Sequence, residues 1–161
     1  MAAVASACLA QQDSVKRTVG IGANIQSSDY GIVIPIWLSS RVVLAPMIGL
    51  NSVEGSATDY TIGIMPKYYL NTERFAPFVD LKIAAIMNKP ASDDDEKKTD
   101  LLVGLGVGGE YFLSPNFSFN VEAQANLTSS DENSNRFGNP GGMNFNLATA
   151  VGATIYFTRK K

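Results

Sequence analysis

Apolar and polar residues alternate along most of this chain, in runs of about ten residues. In the run FSFNVEAQANL at 117–127, every odd-numbered residue is apolar and every even-numbered residue is polar. A period of two places the two sets on opposite faces of a β-strand. One face can contact lipid or a protein core, whereas the other carries amide and carboxylate groups that need water or polar partners.

Eight such runs follow one another, separated by clusters of Ser, Asn, Asp, Gly and Pro. They predict strands at 17–26, 30–38, 41–50, 59–70, 75–87, 100–113, 117–127 and 143–157. The connections after strands one, two, four and six are short, and those after strands three, five and seven are long. Consecutive strands of an up-and-down barrel join alternately at its two rims, so the long loops 51–58, 88–99 and 128–142 would share one rim. The sequence predicts an all-β fold, an eight-stranded antiparallel up-and-down transmembrane β-barrel.

Alternation alone does not decide which face points outward, because a soluble lipocalin-like barrel has the opposite arrangement. The apolar face carries no charge in the middle of strands five, six and eight, which favours contact with lipid. The mean hydropathy is only +0.03, and no apolar run reaches the ~18–20 residues of a membrane helix. A membrane barrel fits both observations, since it needs only every second residue to be apolar.

Aromatic residues gather near the short turns and near the end of the last strand. In a folded barrel they would lie at one rim, where aromatic side chains favour the boundary between lipid and water. We predict an aromatic girdle that includes Trp37, Tyr68, Tyr111, Phe117 and Phe157. Tyr69, Phe75, Phe112 and Tyr156 belong to the same group of sequence positions.

The polar face combines glycine, asparagine and glutamine with charged residues of both signs. Three cations and three anions suggest a narrow interior in which each charge finds a counter-ion, because an unpaired buried charge is very costly. The predicted interior salt-bridge network comprises Arg41, Lys67, Asp80, Lys82, Glu110 and Glu122. Glu110 and Glu122 could also be read as a catalytic carboxylate pair, but the network is the preferred interpretation. The glycines of 104–109 would leave space inside the barrel.

Four prolines fit the pattern poorly: Pro35, Pro46, Pro66 and Pro77 lie inside predicted strands. Proline cannot donate to a strand ladder, and a closed barrel has no free edge. We expect bulges or local breaks near these residues, or strand boundaries that differ from those predicted above.

Composition argues against an enzyme and against a nucleic-acid partner. The chain has no histidine, on which most hydrolytic and zinc sites depend, and its formal net charge is −2 without a basic patch. No catalytic residue, cofactor or metal site is predicted. The acidic run 93–96 could attract Ca²⁺, but its spacing indicates a solvated loop.

The first ten residues, MAAVASACLA, are small and apolar and precede a polar stretch. We predict that residues 1–10 are the remnant of a signal peptide cleaved after Ala10, and that the barrel domain spans 11–161. Lipidation at Cys8 and the absence of any signal are the alternatives. Cys8 is the sole cysteine, so it cannot form an internal disulfide.

Several short sequence motifs are informative when taken as a set, although each is weak evidence alone. These are PKYYL at 66–70 followed by PFVDL at 77–81, GVGGEY at 106–111 followed across a turn by FNVE at 119–122, and the closing IYF at 155–157. Over about 11–157 the sequence resembles the OmpA-like and porin-family eight-stranded outer-membrane β-barrels of Gram-negative bacteria. The terminal aromatic strand resembles the signal read by the outer-membrane insertion machinery, although residues 158–161 follow it here.

The resemblance implies a location in the outer membrane of a Gram-negative bacterium. The implied partners are outer-membrane lipid, lipopolysaccharide and the insertion machinery, besides unknown ligands of the loops. The expected role is structural, in envelope integrity or in surface contact through the loops. The alternatives are a narrow ion-conducting pore, a soluble lipocalin-like ligand-binding barrel and an outer-membrane enzyme, the last disfavoured by the absence of histidine.

Overall fold

The computed structural model describes residues 16–26, 29–52, 58–89, 98–134 and 136–159. Eight strands form a single closed sheet, in which each strand pairs antiparallel with the next and the last pairs with the first. The predicted all-β barrel is therefore confirmed. The strands are β1 (Lys16–Gln26), β2 in two pieces (Asp29–Val33 and Ile36–Trp37), β3 (Val42–Ser52), β4 (Thr58–Tyr69), β5 (Phe75–Lys89), β6 (Lys98–Ser114), β7 (Phe117–Ser129) and β8 (Met143–Arg159).

The two faces of the wall have opposite chemistry. Large apolar side chains point outward, and among them Leu105 is 66% exposed and Leu147 is 75% exposed. The buried inward side chains include Lys67, Asp80, Lys82, Glu110, Glu122, Gln124 and Asn126. The expected orientation, apolar outside and polar inside, is confirmed. No helix in the described part of the chain is long and apolar enough to cross a bilayer.

The prolines disturb the wall at two of the four positions. Ile34 and Pro35 interrupt β2, although the Pro35 carbonyl still accepts a hydrogen bond from the Gly20 amide at 2.8 Å. The β4–β5 pairing lapses at Met65 and Pro66 and resumes in the same register at Lys67. Pro46 and Pro77 lie in uninterrupted strands, so the expectation of a break is wrong for them. The register shifts lie elsewhere, between residues 17 and 19 and between residues 112 and 114.

The glycines of β6 make room for interior side chains, as the sequence analysis expected. A Cβ atom at Gly106 would lie 2.5 Å from Asp80 Oδ1 and 2.7 Å from Glu122 Oε1. At Gly108 it would lie 2.5 Å from the Phe78 ring. Since real Cβ atoms do not approach other atoms so closely, glycine at these positions allows large side chains from β5 and β7 to share a narrow interior.

We expect Gly106→Ala to lower the free energy of unfolding by about 1–3 kcal/mol, because the added methyl group displaces two buried carboxylates. Gly49→Ala is the matched control, since its Cβ atom would meet nothing closer than Thr61 Cβ at 3.2 Å. Both changes restrict the unfolded chain equally. Urea unfolding in detergent, followed by the fluorescence of Trp37, measures the difference. Equal transitions for the two variants would contradict this account of Gly106.

Candidate functional site in the barrel interior

An aromatic cluster fills the barrel at the rim of the short turns. Tyr69, Phe78, Phe112 and Tyr156 are buried there together with Val43 and Ala76, and the half-buried Trp37 packs against them. The Trp37 and Tyr69 rings stack with centroids 5.0 Å apart and an interplanar angle of 20°. These side chains therefore occupy the interior at this end of the barrel.

The predicted aromatic girdle is wrong for Trp37, because the Trp37 ring lies inside the barrel against this cluster. Consecutive residues of a strand point to opposite faces, so the pairs 68–69, 111–112 and 156–157 divide their aromatic rings between the two sides of the wall. Tyr68, Tyr111 and Phe157 point outward and are exposed. Phe117 is half-buried, and its ring meets Phe119 edge-on at 4.9 Å. Four of the five residues predicted for the girdle thus lie on or near the outer face, and the girdle itself stays a prediction.

Glu110 lies above the aromatic cluster and is held by hydroxyl groups. Its carboxylate accepts hydrogen bonds from the hydroxyls of Tyr69, Ser118 and Tyr156, the last at 2.8 Å. Three donors replace the water that a buried carboxylate loses. The sequence analysis grouped Tyr69 and Tyr156 with the aromatic girdle and did not indicate that they would share a carboxylate with Ser118.

Arg17 closes the same end of the barrel. Its guanidinium carbon lies 3.6 Å from the centroid of the Phe112 ring, and its Nε donates to the Pro115 carbonyl at 3.2 Å. It also attracts Glu110 electrostatically. Arg17 has the parity of outward residues, but the register shift between residues 17 and 19 turns it inward, as bulges commonly do. Sequence reasoning missed Arg17 because a bulge is not visible in a period-two pattern.

The predicted salt-bridge network is only partly assembled. Lys67 and Glu122 form an ion pair at 3.2 Å, and Glu122 also accepts a hydrogen bond from Gln124. Asp80, Lys82 and Glu110 are buried in the interior as predicted, but among the described residues none of them has an oppositely charged partner within 4 Å. A stabilising role for the network as a whole stays a prediction.

The prediction that Arg41 belongs to the interior network is wrong. Arg41 lies in the exposed turn between β2 and β3, outside the interior, because β3 begins only at Val42. Arg17 supplies a third cation at the interior beside Lys67 and Lys82. The buried carboxylates at strand positions number four, because Asp100 joins Asp80, Glu110 and Glu122, so the equal count inferred from the sequence is not kept.

At the rim of the long loops, the described residues of the β7–β8 loop, 130–134 and 136–142, contact the starts of neighbouring strands. Arg136 reaches from this loop across the mouth to the Asp59 carboxylate at the start of β4, and its guanidinium also lies 3.8 Å from the Asp29 carboxylate at the start of β2. Nearer β7, Ser134 donates to Asp100 at 3.0 Å, and the Asp131 amide donates to the same carboxylate at 2.9 Å. The sequence predicted an exposed loop here and gave no sign of this inward fold.

A polar chamber of about 160 Å³ lies beneath Arg136. Its lining includes Gln26, Lys82, Leu102, Asn126, Arg136 and Phe137. Within the described residues, no group of three or more His, Cys, Asp or Glu side chains is arranged to hold a metal ion. The acidic run 93–96, the predicted signal remnant 1–10 and Cys8 lie outside the described residues.

The fold can be compared with known structures. The chain is similar to the N-terminal β-barrel domain of OprF from Pseudomonas aeruginosa at 20% identity, covering 89% of this chain and 99% of that chain with a TM-score of 0.61. It is also similar to neisserial surface protein A at 15% identity, covering 86% and 93% of the two chains with a TM-score of 0.55. The chain has the fold of these eight-stranded outer-membrane barrels. No protein-family model and no curated protein matches the sequence.

We expect Glu122→Gln to lower the free energy of unfolding by about 1.5–3 kcal/mol, because it removes the carboxylate that pairs with the buried Lys67 ammonium. Glu132→Gln makes the same chemical change at an exposed position of the β7–β8 loop and serves as the control. Urea unfolding of both variants measures the effect. The ion pair contributes nothing to stability if the two variants unfold at the same urea concentration.

Proposed function

We propose that this protein is a structural barrel of the outer membrane of a Gram-negative bacterium, with no catalytic activity. The observation that carries this proposal is the outer face, where large apolar side chains such as Leu105, Val107, Val121 and Leu147 are half or more exposed. Water would penalise so much exposed apolar surface at about 25 cal/mol per Å². A bilayer removes that penalty.

Strand length supports the same proposal. β6 and β8 each have 17 residues, whereas a tilted strand needs about 9–11 residues to cross the hydrocarbon layer. Two exposed aromatic side chains, Tyr68 and Phe157, lie near the short-turn ends of their strands, at the depth expected of a lipid–water boundary. The long strands therefore have residues to spare for a segment that projects beyond the membrane on the long-loop side.

We propose further that the long loops face the cell surface and serve envelope integrity or surface contact. The neisserial protein of the same fold is a surface protein by name, which supports this orientation. The partners of such a barrel would be lipid, lipopolysaccharide and the outer-membrane insertion machinery, which would read the closing strand that ends at Phe157. Any ligand of the loops would bind at the rim that contains residues 130–142.

The interior disfavours the ion-conducting alternative. The aromatic cluster around Tyr69 and Tyr156 fills one end of the described interior, and an eight-stranded wall encloses little more space than side chains occupy. The outer face disfavours the soluble alternative, since a lipocalin-like barrel would hold its apolar side chains inside. A structural barrel is the function that both faces support.

Electrophoresis tests the proposal. The protein refolded in detergent should migrate faster on a denaturing gel before boiling than after it, because the closed wall resists dodecyl sulfate until it is heated. After removal of detergent it should aggregate, owing to its apolar outer face. A protein that stays monomeric without detergent would be a soluble barrel, and the membrane proposal would be wrong.

Depth-dependent substitutions test membrane contact directly. We expect Leu105→Arg, near the middle of β6, to lower the free energy of unfolding from bilayers by about 2–4 kcal/mol, and Leu113→Arg, near its short-turn end, to lower it by about 0–1 kcal/mol. Both positions are exposed on the outer face, so their effects in water would be similar. Urea titrations in lipid vesicles measure the difference, and equal small effects at the two depths would contradict burial in a bilayer.

A further inference from the structure

The chamber beneath Arg136 opens toward one side of the barrel only. The aromatic cluster that contains Trp37, Tyr69 and Tyr156 fills the opposite end of the interior. The β7–β8 loop covers the chamber through Arg136, which is 19% exposed and pairs with Asp59 across the mouth. A small molecule that enters from the long-loop side would therefore be held rather than passed through.

Lys82 lines this chamber, and among the described residues no carboxylate lies within 4 Å of its ammonium. Its side chain is 7% exposed, and its ammonium donates a hydrogen bond to Gln26 Oε1 at 3.0 Å. Among the described residues, the ion pairs within 4 Å are Lys67 with Glu122 and Arg136 with Asp29 and Asp59. Burying an ammonium without a counter-ion is costly, so the site favours an anion beside Lys82.

Glu122, Asp29 and Asp80 attract the Lys82 ammonium electrostatically, but none of them lies within 4 Å of it. Asp80 is on the same strand, but its Oδ1 is directed toward Gly106 beside Glu122, and Asp80 does not line the chamber. Glu122 is engaged by Lys67. Asp29 lines the chamber at its mouth, where Arg136 lies between it and Asp59.

Part of the chamber lining is apolar. Ile86, Leu102, Phe137 and Ala148 contribute to the lining, so a ligand gains from a short hydrocarbon portion as well as from a negative charge. The volume of 160 Å³ equals that of about five waters at ~30 Å³ each. This suits a compound with a few carbon atoms and one carboxylate better than a bare inorganic ion.

We infer that the chamber is a binding site for a small aliphatic carboxylate, which enters from the long-loop side. The carboxylate pairs with the Lys82 ammonium, and the hydrocarbon portion contacts Leu102 and Phe137. The β7–β8 loop acts as the lid of the site, and Arg136 must leave Asp59 to admit the ligand. The inference depends on the barrel fold and not on the membrane in which the barrel resides.

Nuclear magnetic resonance of the full-length protein in detergent tests this site with three probes of the same shape. These are sodium propionate, propylammonium chloride and propan-1-ol. We expect only propionate to give saturable shifts of the backbone amide signals of Leu102, Asn126 and Thr128, while Ser118 at the aromatic end stays unchanged. Equal shifts with propylammonium or propanol would overturn the inference, as would the absence of saturation up to about 50 mM propionate, beyond which affinity is negligible.

Variants locate the charge that is responsible. Lys82→Met should weaken propionate binding about tenfold or more, the effect of losing a charge-assisted hydrogen bond. Lys82→Arg should retain binding, and Lys98→Met removes a cation that does not line the chamber, so it should leave binding unchanged. If Lys82→Met does not fold, as judged by its migration before and after boiling, Lys82→Gln replaces it with the same expected loss. Undiminished binding in the uncharged variant would refute the role of Lys82.

A separate measurement, the exchange rate of propionate, tests whether the β7–β8 loop acts as a lid. Arg136→Ala removes the contacts with Asp59 and Asp29 but leaves Lys82 in place. We expect propionate to exchange several-fold faster in this variant, as measured by the line widths of the same amide signals. An unchanged exchange rate would mean that the β7–β8 loop does not control entry.

Discussion

Every side chain in the wall of this barrel must face either outward or inward, and a wall of eight strands leaves little free space inside. The fold depends on that constraint. The outward set, which includes Leu105 and Leu147, needs no partner within the protein, whereas an inward polar side chain loses water and gains from a polar partner. Glu110 finds such partners in three hydroxyl groups, and Glu122 finds them in Lys67 and Gln124. Glycine at 106 is as necessary as the charged side chains, because it provides the space in which Asp80 and Glu122 lie.

Much of this was predictable because the alternation has a fixed period. The alternation gave the number of strands and placed Lys67, Asp80, Lys82, Glu110 and Glu122 on the polar face. The absence of charge from the middle of the apolar face then indicated that the polar face points inward. The errors arose where parity fails or ends. Arg41 lies in a turn, where no alternation applies, and a register shift reverses the direction of Arg17. Trp37 was assigned by its nearness to a turn and not by the face on which it lies. Parity names the face of a side chain but not its partner, so the hydroxyl groups around Glu110 and the contacts of Arg136 required three-dimensional coordinates.

The two ends of the interior are closed by different physical means. At the short-turn end, closure is local to the strands: rings from β2, β4, β5, β6 and β8 pack together, and burial of aromatic surface holds them without any loop. At the long-loop end, closure depends on residues 130–142 and on the charge pairs of Arg136 with Asp59 and Asp29. Apolar packing of this kind is continuous with the wall and opens only when the wall itself unfolds. A charged contact made by one loop side chain can open while the wall stays intact.

Because of this asymmetry, the interior can open at the long-loop end while the short-turn end stays packed. A barrel whose aromatic end is tightly packed can tolerate a looser and more polar long-loop end. The strand ladder and the cluster around Tyr69 hold the wall together without the β7–β8 loop. The looser end is also the one where a buried ammonium, that of Lys82, lacks a carboxylate within 4 Å among the described residues. If Lys82 served stability alone, an apolar side chain of similar volume would fill the same space at lower cost, since buried charges rarely add net stability. Its retention beneath a loop that can open is therefore better explained by a ligand than by the requirements of the fold.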